Sequence, residues 1–175
     1  MKFKKFKFKK VRSTNNTAIR IIKKTHCKYG MVISESQTNG KGQYGRKWIS
    51  YKGNLFVTFF HEVNKIKLSI ATITKLNCLL IKKLISKYTN KKILYKKPND
   101  LLIEKKKICG ILQEIIFMQN KKYLITGIGI NINKSPYIKK CPTTNLNELT
   151  NKHIKIYEIE KSLKQIFENN LLKMY

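Results

Sequence analysis

Apolar and polar positions follow strand-like and helix-like periods along most of this chain. Phe6 and Phe8 alternate with lysines, and the segment running to Val11 predicts an opening strand. Ser13-Thr14-Asn15 then offers cap residues for a helix with Ala18, Ile19 and Ile22 on its apolar side. Met31 to Ile33 begins a second strand, which ends in a polar, glycine-punctuated loop from about Ser34 to Gly53. Asn54 to Phe60 (NLFVTFF) is a buried-strand run. From Ile66 to Tyr88 a helical period carries Ile70, Ile73, Leu76, Leu80, Ile81 and Leu84. Ile93 to Tyr95 is a short strand stopped by Pro98. Leu101 to Ile103 and Lys107 to Phe117 read as a hairpin around Glu104-Lys105-Lys106, and Tyr123 to Ile132 as a further strand after a turn at Asn120. Lys134 to Lys152 reads as a loop. Glu158 to Tyr175 closes the chain as an amphipathic helix with Ile159, Leu163, Ile166, Phe167 and Leu171 inward.

Hairpin connections rather than repeated βαβ units favour an α+β fold: a mixed, largely antiparallel sheet with flanking helices. There is no internal repeat and no linker-like stretch, so the 175 residues are expected to form one domain spanning 1–175.

Composition changes this picture little. With 42% hydrophobic residues the chain can bury a real core. The formal charge of +29 invites a nucleic-acid reading, but only Arg12, Arg20 and Arg46 among the 38 basic residues are arginine. Base and phosphate readers lean on arginine forks. The lysines are spread along the whole chain beside abundant Ile and Asn, as AT-rich coding produces, so no specific nucleic acid is expected as a partner. Such a surface would still bind polyanions loosely at low salt. Cys27, Cys78, Cys109 and Cys141 lie more than thirty residues apart and form no zinc-ligand spacing, so free thiols in a reducing cytoplasm are expected. The cationic start MKFKKFKFKK lacks the apolar stretch of a signal peptide, and no apolar run approaches the ~20 residues of a membrane span. No membrane partner is expected.

Three segments carry chemistry. In Gln37-Thr-Asn-Gly-Lys-Gly-Gln-Tyr-Gly-Arg-Lys-Trp48, the GxGxxG spacing alone is weak, and it runs into Trp48 rather than opening a helix, which suits a dinucleotide fold poorly. A glycine-rich loop with Lys41, Arg46 and Lys47 can instead wrap an anion with backbone N–H groups and cationic tips; the plain alternative is an exposed loop with incidental lysines. In the second segment Pro98 fixes the chain after a strand, Asn99 and Asp100 stand at its mouth, and Lys107, a hairpin later, could face Asp100 across the sheet. A carboxylate with a lysine suits Mg²⁺ and phosphate handling, or is an ordinary surface pair. In the third, Gly127-Ile-Gly-Ile-Asn131-Ile-Asn133, glycines within a strand permit close approach by a ligand or mark a bulge.

Taken together, Ser-Thr-Asn at 13–15, QTNGKGQYGRKW at 37–48, KPND at 97–100 with Lys107 and Gly110 following, and GIGIN at 127–131 resemble the biotin–protein ligases in order and spacing, from about residue 8 to 172. The resemblance implies a catalytic domain similar to class II aminoacyl-tRNA synthetases, a mixed sheet with helices on one side. It implies that Ser13, Thr14, Asn15 and Gln37 line a biotin pocket, together with Gly40, Lys41, Gly42 and Lys107. The loop from Gly40 to Arg46, with Gln43, Gly45, Arg46 and Trp48, would fold over an adenylate. Asn99 and Asp100 would serve ATP and Mg²⁺, with Asp100 a metal ligand. Lys107 would sit between the biotin carboxylate and the α-phosphate, Gly110 and Gly129 would leave room for ligand, and Asn131 would help place the nucleotide. Lys41, Asp100 and Lys107 are the expected catalytic residues.

The implied activity is ATP-dependent formation of biotinyl-5′-adenylate, then transfer of biotin to a lysine of a biotin carboxyl carrier protein or domain. The resemblance leaves a homodimer open. Departures from the family pattern stand at Lys41 and Gln43, where arginines are usual, and at Lys97, where a tryptophan is usual. The chain as given carries neither a helix-turn-helix domain before the ligase domain nor a small β domain after it, so no repressor role is expected. A lipoate–protein ligase or octanoyltransferase of the same fold, and a non-catalytic basic nucleic-acid-binding domain, are the rival readings.

Overall fold

The structure, a computed structural model, describes residues 2–63, 68–118 and 120–174, without the side chains of 171–174. The strands are β1 (Lys4–Phe8), β2 (Tyr29–Ser34), β3 (Gly40–Lys41), β4 (Lys47–Trp48), β5 (Leu55–Glu62), β6 (Ile93–Lys96), β7 (Asp100–Ile103), β8 (Lys106–Met118) and β9 (Lys121–Ile130). The helices are α1 (Thr14–Thr25), α2 (Ile70–Ile85), α3 (Leu146–Thr150) and α4 (Ile156–Met174). Seven strands form one sheet in the order β1-β2-β5-β9-β8-β7-β6, while β3 and β4 form a separate small ribbon. Only β1 and β2 pair in parallel; the other neighbours in the large sheet are antiparallel. The expected mixed, largely antiparallel α+β architecture is present.

Side chains alternate across the pleat, so each strand serves two layers. Met31, Ile33, Leu55, Val57, Phe59, Ile111, Ile128 and Ile130 face one way, into a cluster with Cys78, Ile81 and Leu84 of α2 and Ile159, Leu163 and Phe167 of α4. Val32, Phe60, Tyr123 and Ile125 face the other way and meet Ala18 and Ile22 of α1. The flanking helices therefore divide between the two faces, with α2 and α4 behind and α1 in front, instead of lying on one side. Beside α1 the front face is bare at Gly110, Gly127 and Gly129, which are paired or adjacent on β8 and β9.

Several boundaries differ from the sequence reading for identifiable reasons. β1 stops at Phe8 because its partner β2 stops at Ser34; Val11 makes only an isolated bridge, to Gln37. The helical period from Ile66 to Tyr88 becomes α2 from Ile70, with Ile66 itself outside the described residues. Ser69 caps it, its Oγ accepting from the Thr72 N–H at 3.1 Å. Its buried face runs through Ile73, Asn77, Cys78, Ile81, Leu84 and Ile85, so Leu76 and Leu80 are half-buried flank residues. The last helix starts earlier than expected, at Ile156; Ile159, Leu163 and Phe167 are buried, Ile166 packs at the edge of the core, and the side chain of Leu171 lies outside the described residues. The expected loop after Ile132 contains α3, whose cap Asn145 accepts from the Glu148 N–H at 2.9 Å.

Aromatic packing locks the back layer. Phe59 stacks on Phe167 with ring centroids 4.2 Å apart and meets the edge of Phe3 at 5.1 Å. Nearby, Glu168 accepts the Phe3 N–H at 2.8 Å, and Lys5 pairs with Glu160, tying the N-terminal strand to α4. Phe59→Ala should therefore lower the free energy of unfolding by about 3–5 kcal/mol, measured as a shifted urea midpoint. A loss below about 1 kcal/mol would mean that this stack is not the pin of the back layer.

Candidate active site

The bare half of the front face is the floor of a cavity of about 680 Å³. Its surround is assembled from α1, the β3–β4 ribbon, the turn before β7, the start of β8 and the segment from Pro136 to Thr143.

The floor is not open space. The indole of Trp48 lies flat against it: a Cβ at Gly110 would come within 2.6 Å of Trp48 Cζ3, and one at Gly129 would overlap the same ring. The glycines thus make room for Trp48. The Trp48 Nε1 hydrogen is buried without an acceptor in the protein, a costly state for a donor. Gly127 plays the same part for Asn15, whose amide lies directly against its Cα.

At the α1 end the polar groups form a continuous set. The stretch Val11–Arg12 pairs with Ser36–Asn39: Val11 N–H donates to Ser36 O, and Thr38 and Asn39 N–H donate to Val11 and Arg12 carbonyls. This brings Gln37 onto the first turn of α1, where its Oε1 accepts the Thr14 N–H at 2.8 Å. Ser13 occupies the cap position in extended conformation without making a side-chain cap, so its buried hydroxyl is not committed to the helix end. Thr58 of β5, fully buried, lies 2.8 Å from Thr14 Oγ1 and 2.6 Å from Asn15 Oδ1, and Asn15 Nδ2 donates to Glu114 Oε2 at 2.6 Å. Gln37 Nε2 donates to Ser50 Oγ at 2.9 Å.

At the other end Lys107 Nζ meets Asp100 Oδ1 at 2.8 Å and stands 5.0 Å from the Trp48 ring centroid. Both partners are largely covered, with side-chain exposures of 17% and 20%, so this is not a solvated surface pair. Asp100 opens β7 opposite Gly110. The preceding turn is held by Asn99, whose Nδ2 donates to Ile111 O at 2.6 Å, and by Tyr95, whose hydroxyl donates to Pro98 O at 2.6 Å. Behind the pair, burial pushes the Cys78 thiol up to about 12 and the Cys109 thiol well above its ordinary range, the charge of Asp100 adding to both. These thiols stay protonated and have no nucleophilic part here.

The glycine-rich loop forms the β3–β4 ribbon, with Gly40 opposite Trp48 and Lys41 opposite Lys47. Its turn is closed by Gly42 N–H to Arg46 O at 2.7 Å, with Tyr44 at φ 55° and Gly45 at φ 72°. A left-handed pair makes so tight a reversal. Tyr44 projects into solvent, 86% exposed. Of the residues singled out in the sequence, Ser13, Thr14, Asn15, Gln37, Lys41, Gly42, Gln43, Arg46, Trp48, Asn99, Asp100, Lys107, Gly110, Gly129 and Asn131 all line the cavity. Gly40 and Gly45 do not. Gly40 is buried beneath Trp48 O, Gln37 Nε2 and Ser50 Oγ, and Gly45 serves the turn.

Sequence reasoning missed Thr58, Glu114, Asn54 and the segment from Pro136 to Thr143. Asn54 Oδ1 accepts the N–H groups of Ile132, Asn133 and Lys134, each at 3.0 Å, which launches that segment across the cavity. The segment then docks on Lys107, whose N–H donates to Pro142 O at 2.8 Å and whose carbonyl accepts the Thr144 N–H at 3.0 Å. The Asn-Leu pair before a strand run was visible, but nothing local says what Asn54 holds.

Charge defines what this cavity takes. Lys41, Arg46, Lys47, Lys96, Lys97, Lys107, Lys139 and Lys140 line it against the single carboxylate of Asp100. Among the described residues no three His, Cys, Asp or Glu side chains converge on a metal position. The arrangement suits an anionic ligand. No helix among the described residues is long and apolar enough to cross a membrane.

A mixed sheet thus carries a cation-lined cavity roofed by a glycine-rich ribbon. The chain belongs to the Biotin/lipoate A/B protein ligase family, whose pattern it matches over residues 7–131. It is 29% identical over 126 residues, or 71% of its length, to the Bifunctional ligase/repressor BirA of Bacillus subtilis, and 28% identical over 102 residues to that of Escherichia coli. Those alignments span 39% and 32% of the two relatives, so the chain corresponds to well under half of their length. Among solved structures it superposes on the biotin protein ligase of Aquifex aeolicus in complex with biotin and ATP, with a TM-score of 0.80 and 28% identity over 97% of this chain and 71% of that one. The Leishmania major biotin protein ligase in complex with biotinyl-5-AMP shares the fold, with a TM-score of 0.80 and 23% identity over 97% of this chain and 75% of that one.

Trp48 is the only tryptophan, so its emission reports the floor directly. Gly129→Ala should lift the indole and shift that emission to the red, read by steady-state fluorescence; an unchanged spectrum would place the ring elsewhere. In the native protein iodoacetamide at pH 8 should label Cys27 and Cys141, which are half-buried, and spare Cys78 and Cys109. Mass spectrometry of tryptic peptides reads the outcome, and rapid labelling of Cys109 would contradict its burial.

Proposed function

We propose that the chain is a biotin–protein ligase domain: it activates biotin with ATP to biotinyl-5′-adenylate and transfers the biotinyl group to a lysine of a biotin carboxyl carrier protein or domain. The observation that carries this is the half-buried Lys107–Asp100 pair beside Trp48, in a cavity lined by eight cations and one carboxylate. Its likeness to the Aquifex aeolicus ligase that binds biotin and ATP supports the same ligands here.

In the first half-reaction a biotin carboxylate oxygen attacks the α-phosphorus of ATP, and the bond to the bridging oxygen breaks, releasing pyrophosphate. In the second, the neutral ε-amine of the acceptor lysine attacks the acyl carbon, AMP leaves with the C–O electron pair, and the amine gives up a proton. No protein nucleophile is needed. Carboxylate and triphosphate repel each other, so the chain's contribution is to hold two anions together and neutralise developing charge. Lys107 would bridge the carboxylate and the α-phosphate, with Asp100, 2.8 Å from its ammonium, keeping it oriented. Lys41 and Arg46 on the ribbon supply charge from above. Mg²⁺ would bind the ATP phosphates with Asp100 as its protein ligand and supply charge neutralisation there.

Ser13, Thr14, Asn15, Gln37 and Gly42 would hold biotin. Gln43, Trp48, Asn99 and Asn131 would hold the nucleotide. The ribbon over the floor would keep water from the mixed anhydride. Lys41 keeps the charge of the arginine usual at its position but offers no bidentate fork.

Biotin-dependent exchange of pyrophosphate into ATP, with lipoate and octanoate run in parallel, tests the reading. Exchange with biotin alone is expected; exchange with lipoate or octanoate instead would move the chain to the sister activities of its family. Lys107→Ala should lower the exchange rate by about a thousandfold with the fold intact by circular dichroism. An unaltered rate would show that the carboxylate site lies elsewhere.

A further inference from the structure

We propose that Thr58 and Glu114, neither of which belongs to the family motifs above, are positioning residues that fix the hydrogen-bonding direction of Asn15 and so set affinity for the biotin half of the site. The proposal rests on the ligase reading of the cavity and adds to it what orients the first turn of α1.

Three contacts leave one consistent placement of hydrogens. Glu114 Oε2 lies 2.6 Å from Asn15 Nδ2, and an ionised carboxylate only accepts, so the Asn15 amide must turn its nitrogen toward Glu114. Its oxygen is then left facing Thr58 Oγ1 at 2.6 Å, and Thr58 has one hydroxyl hydrogen to give. That hydrogen is spent on Asn15. The 2.8 Å contact between Thr58 and Thr14 must therefore run the other way, Thr14 donating to Thr58. Thr14 can do this because its backbone N–H already satisfies Gln37 Oε1 at 2.8 Å, without needing the 3.1 Å hydroxyl contact. The chain thus runs Thr14 to Thr58 to Asn15 to Glu114, with the carboxylate dictating its direction.

Tertiary geometry makes the chain stiff. Thr58 is fully buried and sits opposite Gly127 on β9, and the absent side chain of Gly127 lets the Asn15 amide lie against the sheet. Glu114 is two residues along β8 from Leu112, which pairs with Gly127. Asn15, Thr14 and Gln37 all line the cavity, whereas Thr58 and Glu114 do not. With one N–H committed to Glu114, the Asn15 amide nitrogen keeps one hydrogen with which to meet an acceptor on the ligand, such as a carbonyl oxygen. Without Thr58 or Glu114 the amide can turn over and present an oxygen to that acceptor.

Isothermal titration of the full chain with biotin alone and with ATP alone tests the assignment, with unfolding midpoints measured in parallel. Thr58→Val, close to isosteric, and Glu114→Leu should each weaken biotin about tenfold or more, the scale of one lost hydrogen bond in a buried chain, while ATP affinity stays within about twofold. Thr58→Ser and Glu114→Gln, which restore a donor and an acceptor, should recover biotin binding to within about threefold of the parent. Parent-like biotin affinity in both Thr58→Val and Glu114→Leu would overturn the proposal, as would equal loss of biotin and ATP with no recovery in the conservative variants. If the parent chain bound ATP but no biotin, the ligase reading itself would fall, and this assignment with it.

Discussion

Two central strands that carry glycine where side chains would project are the constraint on which this protein depends. Gly127 and Gly129 on β9, with Gly110 on β8, strip one half of the front face down to backbone. A sheet built of Ile and Val would fill that space and bury it like the back layer. Here the space is taken by two side chains that arrive from elsewhere, Trp48 from the ribbon and Asn15 from α1. Each lies closer to the strand than any Cβ would permit, so the cavity keeps its depth although its floor is covered.

From that floor the two ends of the site differ in kind. Near α1 the side chains that line the cavity, Ser13, Thr14, Asn15 and Gln37, are neutral, which suits a ligand recognised by shape and hydrogen bonds. Near β7 they are charged, and the Lys107–Asp100 pair is covered enough for its field to be felt. A ligand with an uncharged body and an anionic group would meet both environments within one cavity. The backbone of Lys107 also anchors the segment that begins at Pro136, so the lysine positions one wall of the cavity as well as charge within it.

The back layer explains how so charged a chain holds this arrangement. Its cluster, mostly Ile, Leu and Phe, runs through α2, α4 and six adjacent strands, and the Phe59–Phe167 stack joins the last helix to the middle of the sheet. Lysines occupy the exposed positions, where their charge costs little. The net charge of +29 is thus compatible with an ordinary core, because among the described residues no Lys, Arg, Asp or Glu is buried in the interior.

What the sequence by itself determined were features carried by neighbours along the chain. Alternation and helical period marked the strands and the long helices, and glycine, proline and cap residues marked their ends, because these depend on local backbone geometry. Motif order was enough to gather fifteen of the proposed site residues that the cavity indeed brings together. Tertiary structure alone decided that α1 packs on the opposite face from α2 and α4, that Trp48 fills the space over Gly110 and Gly129, and that Gly40 and Gly45 shape the ribbon without lining the cavity. It also decided that Thr58, Glu114, Asn54 and the segment from Pro136 serve the site. Those contacts join residues far apart in the chain, such as Asn15 with Glu114, and they follow from strand register and sheet order. A threonine in a strand or a glutamate after a glutamine has no local signature that tells which side chain will stand opposite it.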